Sequence, residues 1–492
     1  MSTQVLPGVY VLKRTRVLTP YLVATGCVGL AWLIYHLFLP TPRFPLDDPY
    51  ITLHSAQVLH WGFDPNYPDV SPLYGATSAP FLALVYLLLF FLKPLWALET
   101  AGWLGILTYV LGLVYLARSF RLSRVASLAI IALGLTSSFI PVHLLNGLET
   151  TWAMACAIWA LSLASGGRPV LAALAAGFAG AIRPDLLPFT LILIGALAVR
   201  LPRAERLRFL LQATVALVPI ALCSAWYFVQ TGYAYPLTGI TKRYYMASAH
   251  LAPASKMGTE LLLVTIFLLS CGPLVLGLRK IRDPLVLAIA GTMLVSSVAL
   301  YIQFPDGMGA NCFRYPIVFT PMLVWSVAAL SRDQPITRLL VISLIFSIGL
   351  TLPYSLHIYL KECRIYDAAI HASAQWCEKN LPGDARIMVV DAGYMAYATK
   401  FRILDCAGLK TPEAIKLNRE YTWPSNGDDR ALAMGALASE LHGTYLINLH
   451  NHPVLKNVPS RMRALGWKVE LLKEVPVYSI YRISPPPAPS AR

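Results

Sequence analysis

Residues 21–50 read YLVATGCVGLAWLIYHLFLPTPRFPLDDPY, and this stretch decides the class of fold. The run from Tyr21 to Leu39 is apolar and has about the length that a helix needs to cross a hydrocarbon core of roughly 30 Å. It is too long for the apolar region of a cleaved signal peptide and has no A-x-A-like site, so we expect a retained first membrane helix. Two adjacent acids, Asp47 and Asp48, follow at its exit.

The composition extends this pattern to the rest of the chain. Of 492 residues, 57% are hydrophobic and 13% are charged, and the mean hydropathy of +0.58 is far from that of a soluble domain. A single membrane anchor is therefore excluded. The net charge of +15 would suggest nucleic acid as the partner of a soluble protein. Here Lys and Arg lie in short loops between apolar runs, so we expect a lipid bilayer and no nucleic acid as partner.

The basic loops predict the topology. By the positive-inside rule these loops are cytoplasmic. They all fall on one side of the membrane if the short run 78–92, between Pro80 and Pro94, is re-entrant or lies on the membrane surface. This gives about eleven transmembrane helices, a cytoplasmic N-terminus and a periplasmic C-terminal part. The alternative is that 78–92 crosses and 169–182 does not. The apolar runs after the first are 78–92, 101–117, 125–141, 149–165, 169–182, 184–200, 210–230, 260–278, 284–303, 315–330 and 338–355.

The predicted fold is mostly α, a polytopic membrane domain at residues 1–360 followed by a soluble α/β periplasmic domain at 361–484. In the second part an amphipathic stretch, Tyr366 to Asn380, precedes four predicted strands. The tail 485–492, rich in Pro, Ala and Ser, is expected to be disordered. The first periplasmic loop, 40–77, meets three other outer segments, which together hold most of the charged residues that topology does not explain. The strands are 386–390, 401–404, 445–449 and 477–483, and the other outer segments are 142–148, 231–259 and 304–314.

The acidic pair is the expected centre of the chemistry, because acids at a membrane boundary are costly unless they have a role. Asp48 before Pro49 fits a helix N-cap, with a helix running to about Trp61. Asp47 is not needed for that cap. A carboxylate near a helix N-terminus stays ionised at neutral pH and can accept a proton. We therefore predict a catalytic role for Asp47, and one for Asp48 with capping as the alternative. His54 lies on the same helix face, below the acids.

Several motifs in order resemble the glycosyltransferase C (GT-C) superfamily. Their set is similar above all to the mycobacterial AftB-like arabinofuranosyltransferase branch, with kinship to protein mannosyltransferases and the aminoarabinose transferase of lipid A. Each motif alone is loose, but together they span most of the chain. They are DDPYI at 47–51, LHWGF at 59–63, YGATSAP at 74–80, NGLET at 146–150, AIRPD at 181–185, DAGY at 391–394 and LDCAGL at 404–409.

The resemblance implies an inverting transfer of a sugar from a polyprenyl phosphate, without a nucleotide, in a bacterial inner membrane. It implies that Asp47 is the general base on the acceptor hydroxyl. The sugar would be a pentofuranose such as arabinofuranose, or a hexose, and the acceptor an envelope glycan, lipid or protein. A departing phosphate needs cations, and the candidates are Lys242, Arg243 and Arg314. Their alternative role is to snorkel or to contact lipid headgroups.

Four more polar residues are candidates for substrate binding, each with a structural alternative. Glu149 follows Asn146 at the spacing of a near capping box. Arg183 and Asp185 would orient substrate or pair with each other. Tyr74 would bind donor or acceptor, or be an interfacial aromatic.

No obligatory cofactor is expected. The acids and His54 could hold a divalent metal ion, but no second Asp-x-Asp or Glu-rich cluster completes such a site. A transporter or lipid-linked-sugar flippase is the main alternative function, although no internal repeat is evident. A non-catalytic scaffold would leave the acidic pair unexplained. The C-terminal domain lacks a nucleophile elbow, a P-loop and a Rossmann glycine pattern, so we expect it to bind or orient the acceptor.

Overall fold

The computed structural model describes residues 7–39, 41–247, 253–254, 257–258, 283–305, 310–333, 337–450, 452 and 455–487. Helices make up most of this part of the chain. Their bounds are Pro7–Phe38, Asp48–Trp61, Ala79–Leu88, Pro94–Ser119, Arg124–Thr136, Ile140–Leu145, Thr150–Ser165, Pro169–Ile182, Leu187–Arg200, Arg203–Ala213, Leu217–Thr231, Thr238–Met246, Pro284–Gln303, Thr320–Asp333, Thr337–Phe346, Leu352–Tyr366, Ala372–Asn380, Ala392–Ala398, Pro412–Leu417, Arg430–Leu441 and Val458–Ala464.

Among the residues that the structure describes, six helical segments are long and apolar enough to cross a membrane, so the chain is a multi-pass membrane protein. The number of spans stays a prediction, and the predicted run 260–278 lies outside the described residues. The helix Ala79–Leu88 has ten residues and is about 15 Å long at 1.5 Å per residue, too short to cross alone. The six are Leu18–Phe38, Pro94–Ser119, Arg203–Thr231, Pro284–Gln303, Asn311–Arg332 and Leu340–Asn380.

Hydrogen bonds from two indole groups join the helix Thr150–Ser165 to the helix Pro94–Ser119. Trp152 Nε1 donates to the Ala101 carbonyl at 2.8 Å, and Trp159 Nε1 donates to the Thr108 carbonyl at 2.9 Å. In a bilayer such side-chain bonds and close packing hold helices together, since the lipid is as apolar as the helix surface. The helix Thr150–Ser165 is thereby fixed, and its N-terminus carries Glu149 into the site described below.

The C-terminal part holds a five-stranded sheet in the order β2-β1-β3-β5-β4. The four predicted strands are confirmed to within about one residue. The strand β4 was missed because its sequence, KVELLKE, is mostly charged and exposed, as suits the edge of a sheet. The strands are β1 Arg386–Val389, β2 Arg402–Asp405, β3 Tyr445–Leu449, β4 Lys468–Glu474 and β5 Tyr478–Ser484; β1 pairs in parallel with β2 and β3, and β5 pairs antiparallel with β3 and β4.

The sheet domain packs directly on the first outer loop. The Asn66 carbonyl accepts from the Ile403 amide at 3.0 Å, which extends the edge of β2. The Asn66 side chain donates to the carbonyls of Thr399 and Phe401, both at 2.9 Å. One apolar core includes Leu53 of the outer-loop helix and Ile387 of β1. The predicted domain limit at residue 361 falls inside the helix Leu352–Tyr366, and the division into two domains stays a prediction.

Candidate active site

A cavity of about 490 Å³ lies between the first outer loop and the sheet domain. Both acids of the pair line it, and so does Lys242. The sheet domain contributes Asp391 and Tyr478 to the same lining. Residues far apart in the sequence therefore meet around one space.

Asp47 is held by groups from the C-terminal side of the cavity. Its carboxylate accepts from the Gly393 amide at 2.6 Å, the Tyr394 amide at 2.8 Å and the Tyr366 hydroxyl at 2.5 Å. The side chain is only 8% exposed. Burial, assisted by the nearby Asp391, raises the pKa of Asp47 to about 7. This environment opposes the ionised form that the sequence predicts for Asp47, because burial disfavours the charge more than the hydrogen bonds favour it.

Asp48 has the opposite environment. Its carboxylate pairs with Arg314 and lies 3.7 Å from Lys242 Nζ. Burial alone would raise the pKa of Asp48, but Lys242 and Arg314 together outweigh it and lower the pKa to about 2. The expected N-cap is one residue off: Asp47 occupies the N-cap position, and no side chain caps this helix.

Arg314 bridges two acids across the charged wall of the site. One guanidinium nitrogen donates to Asp48 and the other to Glu149 at 2.9 Å. At 4% exposure Arg314 is buried, so the alternative of snorkelling is wrong for this residue. The backbone just before it is unusual, since Asn311, Cys312 and Phe313 all have left-handed φ values of 48°, 57° and 63°. Such strain persists only where surrounding contacts impose it.

Glu149 belongs to this charge network and caps nothing. It takes the N-cap position of Thr150–Ser165 without a side-chain cap, so the capping-box alternative was wrong. The Arg183 guanidinium lies 3.7 Å from the Glu149 carboxylate. Arg183 also donates to the Asp185 carboxylate at 3.0 and 2.6 Å. The pairing of these two residues, one of the two predicted alternatives, is therefore present. Neither Arg183 nor Asp185 lines the cavity of about 490 Å³.

Three further predicted binding residues, His54, Tyr74 and Arg243, also do not line the cavity. His54 is 1% exposed and contacts the Asn66 side chain at 3.2 Å, so it supports the outer loop. The Tyr74 hydroxyl donates to the Thr231 carbonyl at 3.3 Å. The Arg243 guanidinium stacks over the Trp423 ring at 4.8 Å. Each of the three side chains has its partner outside the cavity.

The sequence reasoning missed the acid and tyrosines that complete the cavity. Tyr478 donates to the Asp391 carboxylate at 2.6 Å, and Tyr366 donates to Asp47. The only sequence signal was the DAGY motif at 391–394, which gave a resemblance and no role. In the part of the chain that the structure describes, no three His, Cys, Asp or Glu side chains form a group that could hold a metal ion.

The membrane helices, the acidic loop and the small C-terminal sheet domain form the fold class that the sequence predicts, and solved structures share this arrangement. A crystal structure of ArnT from Cupriavidus metallidurans bound to undecaprenyl phosphate matches with a TM-score of 0.57 at 11% identity, over 94% of this chain and 98% of that one. The apo form of the same enzyme matches with a TM-score of 0.52 at 12% identity, over 92% and 98%. At 11–12% identity, this likeness shows a shared fold alone.

Other comparisons are more limited. A cryo-EM structure of a mutant arabinofuranosyltransferase AftD from mycobacteria matches with a TM-score of 0.48 at 15% identity, over 94% of this chain and 41% of that one. Residues 359–481 match a family described as a domain of unknown function, DUF8728. No curated protein matches the sequence.

Proposed function

We propose that this protein is a membrane glycosyltransferase that moves a sugar from a polyprenyl phosphate to a hydroxyl group of an envelope acceptor. The observation that carries the proposal is the division of one cavity into two walls. On one wall a buried carboxylate, Asp47, has a pKa near neutrality. On the other, Lys242 lies beside Asp48, and Arg314, which lines an adjoining smaller space, pairs with the same carboxylate.

The two walls suit the two ends of a displacement at the anomeric carbon. Asp47 takes the proton of the acceptor hydroxyl while the acceptor oxygen bonds to the anomeric carbon. The bond between that carbon and the phosphate oxygen breaks, and its electron pair leaves with polyprenyl phosphate. A base works best when its pKa lies near the operating pH, which favours Asp47 over Asp48 for this step.

The charged wall would stabilise the departing phosphate. Lys242 lines the large cavity, and with Arg314 it also lines a smaller space beside Glu149. Cations already fixed in place stabilise developing negative charge without reorganisation. In this proposal Asp48 and Glu149 hold the cations in position.

The donor class has support from the fold and from the sequence motifs. The ArnT of matching fold is bound to undecaprenyl phosphate, and the AftB-like motifs favour the same kind of lipid. We propose a pentofuranose such as arabinofuranose or a hexose as the sugar, an envelope glycan, lipid or protein as the acceptor, and a site facing the periplasm from the bacterial inner membrane. The sheet domain, which supplies half of the cavity wall, would orient the acceptor.

The test is turnover by the purified protein in nanodiscs with a panel of polyprenyl-phosphate sugars, scored as release of polyprenyl phosphate. Asp47→Asn should reduce release by about 10²- to 10⁴-fold, the usual contribution of a general base. Asp384→Asn, an exposed acid of the sheet domain, is the matched control and should keep full activity. Retained turnover in Asp47→Asn would remove the assigned role. Absence of release with every donor, together with movement of the intact lipid-linked sugar between leaflets, would favour the flippase alternative.

A further inference from the structure

Asp391 presents a second acid to the cavity from the other part of the molecule. It stands at the N-cap position of the helix Ala392–Ala398, yet its carboxylate does not cap that helix. The cap is supplied by Asp47, which accepts from the amides of Gly393 and Tyr394. The side chain of Asp391 is left to line the cavity.

The two acids have parallel environments. Each accepts from one tyrosine hydroxyl, at 2.5 Å from Tyr366 to Asp47 and at 2.6 Å from Tyr478 to Asp391. Among the described residues, neither carboxylate is within 4.0 Å of a cationic side chain, whereas Asp48 has two cations. Asp391 directly precedes the helix whose Gly393 and Tyr394 amides bind Asp47. Two acids that face one cavity without a cation resist simultaneous ionisation.

We propose that Asp391 is a positioning residue that acts on Asp47, so that the two acids of different domains share one proton and Asp47 becomes a stronger base. This inference rests on the proposed transfer reaction. Burial raises the pKa of Asp391 as well, with Asp48 adding to the effect and Tyr478 opposing it. The sheet domain then contributes to proton transfer in addition to binding the acceptor.

Other groups that titrate or carry charge also face the cavity. Their contribution to the pH dependence must be distinguished from that of Asp47 and Asp391. Eight of them line the same cavity: Asp48, Lys242, Tyr245, Tyr315, Glu362, Tyr366, His452 and Tyr478. Of these, His452 is the group whose usual range is closest to neutrality, although burial lowers its pKa. His452→Gln therefore serves as a control for the origin of the pH dependence.

The test is the pH profile of kcat/KM for release of polyprenyl phosphate. The acid limb of the wild type is expected near pH 7, where Asp47 loses its proton. In Asp391→Asn the limb should move to lower pH by on the order of one unit, because a repelling charge is removed, and the plateau rate should fall because the base is weaker. Asp391→Glu should restore the limb, and His452→Gln should leave it in place. An acid limb that does not move in Asp391→Asn overturns the inference.

Two further experiments distinguish a failure of this inference from a folding defect and from a failure of the proposed function. If Asp391→Asn does not fold, Tyr478→Phe replaces it, since loss of that hydroxyl destabilises ionised Asp391; a smaller move in the same direction is expected, and an unmoved limb overturns the inference. Infrared difference spectra read the pair without turnover. The protonated-carboxyl absorption should titrate near pH 7 in the wild type and at lower pH in Asp391→Asn. An equal midpoint in both proteins refutes the shared proton, even if no donor is turned over and the proposed function fails.

Discussion

The close approach of Gly393 to the helix Asp48–Trp61 gives a prediction that the structure makes quantitative. A Cβ atom at position 393 would lie 2.6 Å from the Asp47 carbonyl oxygen, 2.7 Å from the Ile51 amide nitrogen and 2.8 Å from Ile51 Cγ1. Two of these atoms belong to the backbone and cannot rotate away. Gly393→Ala must therefore separate the two helices, at a cost of about 1–3 kcal/mol for overpacking.

Both stability and activity should respond. The thermal midpoint of the purified protein, followed by intrinsic fluorescence, should fall by roughly 3–10 °C. A displacement of about 1 Å would also weaken the amide bonds to Asp47 and reduce turnover by about a hundredfold. Gly383→Ala is the matched control, since a Cβ there meets no atom within 4 Å. If Gly393→Ala behaves like Gly383→Ala in both measurements, the packing argument for Asp47 is refuted.

Three further predictions concern charged groups. Arg314→Lys keeps the charge but loses the planar fork that bridges Asp48 and Glu149, so kcat/KM for the donor should fall at least about tenfold in the release assay; an unchanged value would exclude the bridge from the mechanism. Lys410→Met removes a buried ammonium group 2.6 Å from a serine hydroxyl and should destabilise the fold by about 1.5–3 kcal/mol; an unaltered thermal midpoint would contradict this. Burial, with Lys410 as a second cause, lowers the pKa of His54 to about 3. The unfolded chain therefore binds a proton at His54 more tightly than the folded protein does. The free energy of unfolding should fall as the pH drops below about 6.5. Thermal midpoints measured from about pH 7.5 to 5 should show a shallower fall for His54→Gln, and equal slopes would argue against a buried neutral His54.

The sequence was sufficient wherever a pattern is local. The helix from the acidic pair to Trp61 follows from Pro49 and the apolar spacing, and it ends as expected. Four strands follow from short apolar runs between turn residues. Arg314 and Glu149 were chosen as separate candidates, and the structure joins them in one ion pair.

The sequence was insufficient wherever a contact links distant segments. Asp47 is bound by groups more than 300 residues away in the chain, and no periodicity of either segment predicts the other. His54 shows the converse error. Its helical spacing from the acids is real, but Asn66 and the sheet domain cover that side of the helix.

The adjacent acids differ in pKa because a helix N-terminus separates neighbouring side chains by about 100°. Asp47 is thereby turned toward the sheet domain, with its amides, tyrosines and second acid, whereas Asp48 is turned toward Lys242 and Arg314. One environment raises the pKa to about 7 and the other lowers it to about 2. Paired acids whose environments push their pKa values apart are suited to different roles. In the proposed reaction, the acidic pair therefore places a base and an anchor for cations in a single cavity only when both parts of the molecule are present, since each part supplies the environment of one acid.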